Sequence, residues 1–240
     1  MGKKESFLSG MRDGIPIALG YFAVSFSFGI LAVSGGLSPW EAGLISLTNL
    51  TSAGQFAGLE VIVAGGTYLE LMLTQLVINL RYLLMSFSLS QKLRMDEPHF
   101  HRLILAFGIT DEIFGISIGQ KDKVSAFYHY GAMCVAIPGW TLGTVVGAIF
   151  GNILPAIVVN ALSIALYGMF IAIVIPPAKQ DKNVLSAVIV AMAAGLLFSV
   201  VPYLRDISSG FSIIIITVSI SAIMALAAPL GKNREEGNAA

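Results

Sequence analysis

From Val124 to Ala178 the chain carries no Asp, Glu, Lys or Arg. A spanning helix needs roughly 20 mostly apolar residues, so this one run has room for two crossings. Gly14–Trp40, Asn183–Leu204 and Ile207–Gly231 are further uncharged stretches, each long enough for one. Charged residues make up only 12% of the 240 residues, against about 25% in an ordinary soluble domain. Too little charge is present to cover the outside of a water-soluble globule, and hydrophobic residues reach 56%. That composition excludes a soluble enzyme and a disordered chain, which needs low hydrophobicity and high charge. Fourteen basic residues balance fourteen acidic ones, so a phosphate-contacting nucleic-acid binder is excluded too. The remaining class is an all-α, polytopic membrane helix bundle.

The gaps between charges give about eight hydrophobic segments: 12–34, 39–64, 67–90, 102–119, 124–150, 154–176, 183–203 and 208–230. They are apolar all round and longer than the roughly ten-residue alternating strands of a membrane barrel. The connectors are too short to fold alone, so residues 1–240 read as a single membrane unit. A faint repeat suggests halves at 12–119 and 124–230. Phe28-Gly29 and Leu142-Gly143 each precede small residues and a proline (Pro39, Pro155), and Phe56 and Phe170 occupy matching places. The polar start, Met1 to Gly14, reads as the lead into a retained first helix rather than a cleaved signal.

Basic residues cluster at Lys3/Lys4/Arg12, Lys92/Arg94/Arg102, Lys121/Lys123, Lys179/Lys182 and Lys232/Arg234. The positive-inside rule would gather them all on the cytoplasmic side. Eight simple crossings cannot do that. Two segments must enter and return, or be broken, and 39–64 and 102–119 are the best choices because both hold charge and Gly. Irregular backbone at membrane depth is tolerated only where protein or a water-filled cavity covers it.

Few polar side chains lie inside the segments. Arg81 sits well within 67–90, where an Arg costs roughly 2.5–3.5 kcal/mol on insertion scales. Its readings are a structural ion pair with Asp111 or Glu112, or a partner for a substrate carboxylate. Thr110-Asp111-Glu112 places two acids in an apolar setting, about 100° apart on a helix, as separate partners rather than a proton-sharing dyad. They read as a lock between helices or as groups in proton coupling. Thr51-Ser52-Ala53-Gly54-Gln55-Phe56-Ala57-Gly58 precedes Glu60. Its glycines suit close helix contact or an unwound turn. Asn49, Thr51, Ser52, Gln55 and Glu60, with Asn79 and, from the sixth segment, Asn160, are the expected lining of a substrate cavity.

Gly139, Gly143, Gly147 and Gly151 recur every four residues and read as a ridge for helix packing, internal or with a partner subunit. His129 reads as an aromatic-belt residue at the interface, His99 and His101 as solvated loop residues, and Pro138-Gly139-Trp140 as a kink. The lone Cys134 allows no internal disulfide and no Cys-based zinc site. No phosphate loop or His-Glu-x-x-His motif occurs, and Gly115-Ile116-Ser117-Ile118-Gly119 lacks the strand that a nucleophile elbow requires. The expectation is no enzyme, no cofactor and no metal, with transport energy supplied by a gradient or a partner.

The runs Gly14-Ile15-Pro16-Ile17-Ala18-Leu19-Gly20, Phe28-Gly29-Ile30-Leu31-Ala32, Ala53-Gly54-Gln55-Phe56-Ala57, Asn79-Leu80-Arg81-Tyr82-Leu83-Leu84-Met85-Ser86 and Thr110-Asp111-Glu112 resemble the AzlC family in order and spacing across nearly the whole chain. Where the family's pattern often has His after the Arg, this chain has Tyr82. The resemblance implies the large subunit of a branched-chain amino acid exporter of the cell (inner) membrane, working with a small hydrophobic AzlD-type subunit. It assigns no residue roles. The expected partners are that subunit, an amino acid substrate and the lipid bilayer. A passive channel, an intramembrane enzyme and a non-transporting scaffold subunit remain rival readings.

Overall fold

A computed structural model describes residues 2–94, 98–151 and 178–227, together with 153, 157, 171 and 174–176. Every element among them is helical: α1 (Lys3–Ser34), α2 (Pro39–Thr48), α3 (Ala53–Val63), α4 (Tyr68–Lys92), α5 (Phe100–Phe107), α6 (Asp111–Ile118), α7 (Ala126–Phe150), α8 (Lys182–Val200), α9 (Pro202–Arg205) and α10 (Ser209–Ala227). Five of these, α1, α4, α7, α8 and α10, are long and apolar enough to cross a membrane. The chain is a multi-pass membrane protein. The expected segment 154–176, with Pro155, Asn160 and Phe170, lies outside the described residues.

Two compact units are present: residues 1–56 with 79–166, and residues 57–78 with 167–240. The first is built on α1 and α7. A Cβ at Gly10 would strike the Tyr128 backbone, at Gly14 that of Ala132, at Gly139 that of Ala18, at Gly143 that of Phe22 and at Gly147 that of Phe26. Both sets of numbers rise together, so α1 and α7 run parallel. The four-residue glycine ridge keeps one face of α7 bare, and the two backbones touch along their length. The ridge is therefore an internal interface. The helix runs on through Pro138 to Phe150.

Parallel packing puts the basic starts of α1 (Lys3, Lys4, Arg12) and α7 (Lys121, Lys123) at one end of the unit. The end of α4 joins them. Leu93 pairs with Val124 in a short bridge, the Lys92 ammonium donates to the Gln120 carbonyl at 2.5 Å, and the Lys123 ammonium to the Gln91 carbonyl at 2.5 Å. The positive-inside rule assigns this end to the cytoplasm. α1 begins earlier than the expected residue 12 because Gly2 and Glu5 form a capping pair at Lys3. Its 32 residues span about 48 Å, so its polar first turns stand clear of a roughly 30 Å hydrocarbon layer.

Both segments expected to be irregular are broken helices. Segment 102–119 divides into α5 and α6 at Gly108-Ile109-Thr110. It leaves and returns to the basic end, since its flanks meet at the Leu93–Val124 bridge. Segment 39–64 divides into α2 and α3 at Asn49-Leu50-Thr51-Ser52, where Ser52 holds φ 39°. α2 descends from the opposite end. Its start is fixed by Pro39 and by the Ser38–Glu41 capping box, whose hydrogen bonds hold the exposed Glu41 carboxyl below its ordinary pKa. The descent reaches Trp140 of α7 through Gln55, and Phe56 then turns back to pack edge-on against Phe28, 5.3 Å between ring centroids.

In the second unit α8 and α10 pack side by side, with the Ser186 hydroxyl 3.8 Å from Met224 Sδ. Glu70 of α4 is buried there and accepts from the Ser208 hydroxyl.

Candidate functional site

The site begins at the two helix breaks of the first unit. Thr110 caps α6, its Oγ1 accepting from the Ile113 N–H at 3.3 Å. The break places Asp111 and Glu112 in the first turn, where carboxylates complement the partial positive charge of a helix N-terminus. They diverge as their spacing requires. Asp111 pairs with the Arg81 guanidinium at 3.0 Å, with both side chains about one-third exposed. Glu112 Oε2 lies 2.5 Å from the Tyr21 hydroxyl, which also sits 2.6 Å from Thr110 Oγ1. Arg81 additionally donates to the Tyr82 hydroxyl at 3.2 Å, and its guanidinium lies 5.0 Å from that ring's centroid. Tyr82 thus braces the arginine from the next position in the chain.

The second break is organised by Gln55, which is 1% exposed. Its Oε1 accepts from the Trp140 indole N–H at 2.9 Å, and its amide donates to the Ser46 hydroxyl. Ser46 in turn lies 2.6 Å from the Thr144 hydroxyl of α7. Each polar atom of this carboxamide thereby has a partner, as burial demands. Thr51 donates to Asn49 Oδ1 at 2.7 Å across the break itself.

One contact joins the two clusters. The Tyr21 and Trp140 rings meet edge to face, with centroids 5.3 Å apart and planes at 79°. Tyr21 reaches the start of α6, and Trp140 reaches the first turn of α3. A polar and aromatic chain therefore runs from the hairpin that enters at the basic end to the one that enters at the other. Both hairpins interrupt their helices, and both present a helix start at their tip.

The expected site residues fall into groups. Arg81, Asp111 and Glu112 cluster at the α5–α6 tip. Asn49, Thr51, Ser52 and Gln55 form the α2–α3 tip, where Gln55 is committed to Trp140 and Ser46. Asn79 is half-buried two residues before Arg81. Glu60 lies on an exposed side of α3 in the other unit. Asn160 is outside the described residues.

Sequence reasoning missed Tyr21, Ser46, Trp140 and Thr144. An aromatic or a hydroxyl residue within an apolar span carries no mark of its own until its partner is known. Two histidine readings are corrected. His129 is wholly buried with its Nδ1 3.0 Å from the Ser117 hydroxyl, because the re-entrant α5–α6 hairpin covers the first turns of α7. His101 is half-buried and lies 2.8 Å from the Tyr130 hydroxyl, again because the hairpin folds against α7. Among the described residues no group of three His, Cys, Asp or Glu is placed to hold a metal.

A family model described as AzlC protein matches residues 16–154, the stretch that contains both hairpins, α7 and the second half of α1. An uncharacterized membrane protein of Archaeoglobus fulgidus is 32% identical over 202 residues, 82% of this chain and 88% of that protein. The inner membrane protein YgaZ of Escherichia coli is 29% identical over 205 residues, 81% and 83% of the two chains. An uncharacterized membrane protein of Helicobacter pylori is 25% identical over 163 residues, 62% of this chain and 67% of that protein. No solved structure matches the chain at a significant level.

Proposed function

The chain belongs to the AzlC family, and from that premise we propose that it is a secondary transporter exporting branched-chain amino acids across the inner membrane with a small AzlD-type subunit. The observation that carries this reading is the meeting of two broken hairpins, from opposite ends of the unit, at the Tyr21–Trp140 contact. Discontinuous helices with their termini at membrane depth are the means by which transporters hold small charged solutes in a low-dielectric layer. The backbone there offers partial charges that a continuous helix keeps for itself.

A branched-chain amino acid carries a carboxylate, an ammonium and an apolar tail. Arg81 is the assigned partner of the carboxylate, since its planar fork matches two oxygens. Asp111, now paired with Arg81, is released by that exchange to meet the ammonium. Glu112 and Tyr21 form the adjoining pair assigned to proton coupling. Leucine and phenylalanine side chains of the surrounding helices suit the tail. In the packed state described above, Gln55, Trp140 and Ser46 satisfy one another and Tyr21 is held by Thr110 and Glu112, so this conformation reads as closed between the hairpin tips.

The test is efflux. Cells lacking their own exporters are loaded with a leucine-containing dipeptide, and leucine release is followed with this chain, with the chain plus its small subunit, and with neither. Release several-fold faster with both proteins supports the reading. Release at the vector rate, with both proteins present in the membrane, refutes it.

A further inference from the structure

In the first unit, α4 and α5 enclose an apolar groove of about 230 Å³. Leu83 and Phe87 of α4 stand at its rim, 56% and 62% exposed, while Leu105 of α5 and Ile109 of the break after it form a buried floor. α4 approaches the basic end as α5 leaves it, so the groove has two unlike ends. Leu83 and Ile109 mark the deep end. Ser90 and Arg102 mark the end nearest the bridge of Leu93 and Val124. Ser90 lies seven positions after Leu83 within α4, so at 1.5 Å per residue the groove runs about 10 Å along that helix.

Among the described residues, Arg102 is the only charged one lining this groove. Among the described residues, no carboxylate, hydroxyl or carbonyl engages its guanidinium. A cation that no described group engages, beside apolar walls, favours an anion that brings an apolar body with it. Guanidinium binds phosphate through two parallel hydrogen bonds, and basic pockets at the cytoplasmic side of membrane helices suit anionic headgroups.

We propose that the α4–α5 groove is a binding site for an anionic glycerophospholipid of the cytoplasmic leaflet, with one acyl chain along Leu83, Phe87, Leu105 and Ile109 and the phosphate on Arg102. Occupancy braces α5, the outer arm of the hairpin whose tip carries Asp111 and Glu112. The site does not depend on what the protein transports, so its test and the efflux test fail independently.

The test uses the full chain, purified in detergent and stripped of lipid, then offered equal amounts of phosphatidylglycerol and phosphatidylcholine before native mass spectrometry. Phosphatidylglycerol is expected to be retained about fivefold to tenfold more than phosphatidylcholine, the effect of one well-placed cation. Arg102→Gln abolishes that preference and Arg102→Lys keeps part of it. Ala106→Trp, which fills the groove at an exposed lining position, lowers phosphatidylglycerol retention with the charge intact. Equal retention of the two lipids by the unaltered chain overturns the proposal. So does an undiminished preference in Arg102→Gln, or an equal loss in Lys121→Gln, a cation outside the groove. Displacement of phosphatidylglycerol by excess inorganic phosphate also overturns it, by assigning the site to a free anion.

Discussion

Trp140 donates its indole N–H to the Gln55 carboxamide at 2.9 Å while its ring packs edge-on against Tyr21, so one side chain of α7 links the α2–α3 tip to the tyrosine that reaches the other tip. The bond is buried and Gln55 has no water to fall back on. The ring contact adds about 0.5–1.5 kcal/mol beyond burial alone.

Trp140→Phe keeps much of the ring contact and removes the donor. It leaves Gln55 Oε1 buried and unpaired, at a cost of about 1–3 kcal/mol. The melting temperature of the purified protein in detergent should fall. Adding Gln55→Leu to Trp140→Phe should cost less than the sum of the two single changes, because the orphaned acceptor is then gone. Strict additivity would show that the bond does not join these residues in solution.

Arg81 and Asp111 are assigned both to each other and to the substrate. Arg81→Ala and Asp111→Asn should each reduce leucine efflux by at least about tenfold, a loss of roughly 1.4 kcal/mol in the limiting step. The exchanged pair, Arg81→Asp with Asp111→Arg, should recover thermal stability and leave efflux low. Recovery of efflux along with stability would reduce the pair to a lock between helices.

Tyr21→Phe removes the hydroxyl that faces Glu112 and Thr110 and leaves the ring against Trp140. Efflux driven by an imposed pH gradient should drop. Counterflow, in which labelled leucine exchanges for unlabelled leucine without net proton movement, should be retained. An equal fall in both rates would place Tyr21 in packing alone.

Gly147 and Gly20 differ in what surrounds them. A side chain at Gly147 would meet the Phe26 backbone, whereas a Cβ at Gly20 meets nothing within 4 Å. Gly147→Leu should destabilise the unit by about 1–3 kcal/mol or more, since backbone cannot be pushed aside as a side chain can. Gly20→Ala should be neutral or stabilising by up to about 1 kcal/mol, through its higher helix propensity. Both outcomes can be read from the monodisperse fraction after heating in detergent.

The run without charge from Val124 to Ala178 and the low share of charged residues were enough to make this a membrane helix bundle, because in hydrocarbon the backbone must satisfy itself. The placing of the basic residues went further. It required 39–64 and 102–119 to be irregular, and the breaks at Asn49–Ser52 and Gly108–Thr110 lie within them. The rare ionisable residues Arg81, Asp111 and Glu112 were legible for the same reason, since a charge in an apolar segment stands out against its neighbours. What joins those parts was not written locally. Tyr21 and Trp140 lie 119 positions apart, and nothing in either stretch says that α1 and α7 run side by side in the same direction. That pairing, the burial of His129 beneath a returning hairpin and the commitment of Gln55 to Trp140 were decided by tertiary structure. A hydrogen bond or ring contact depends on two residues at once, and a chain read one position at a time holds only half of each.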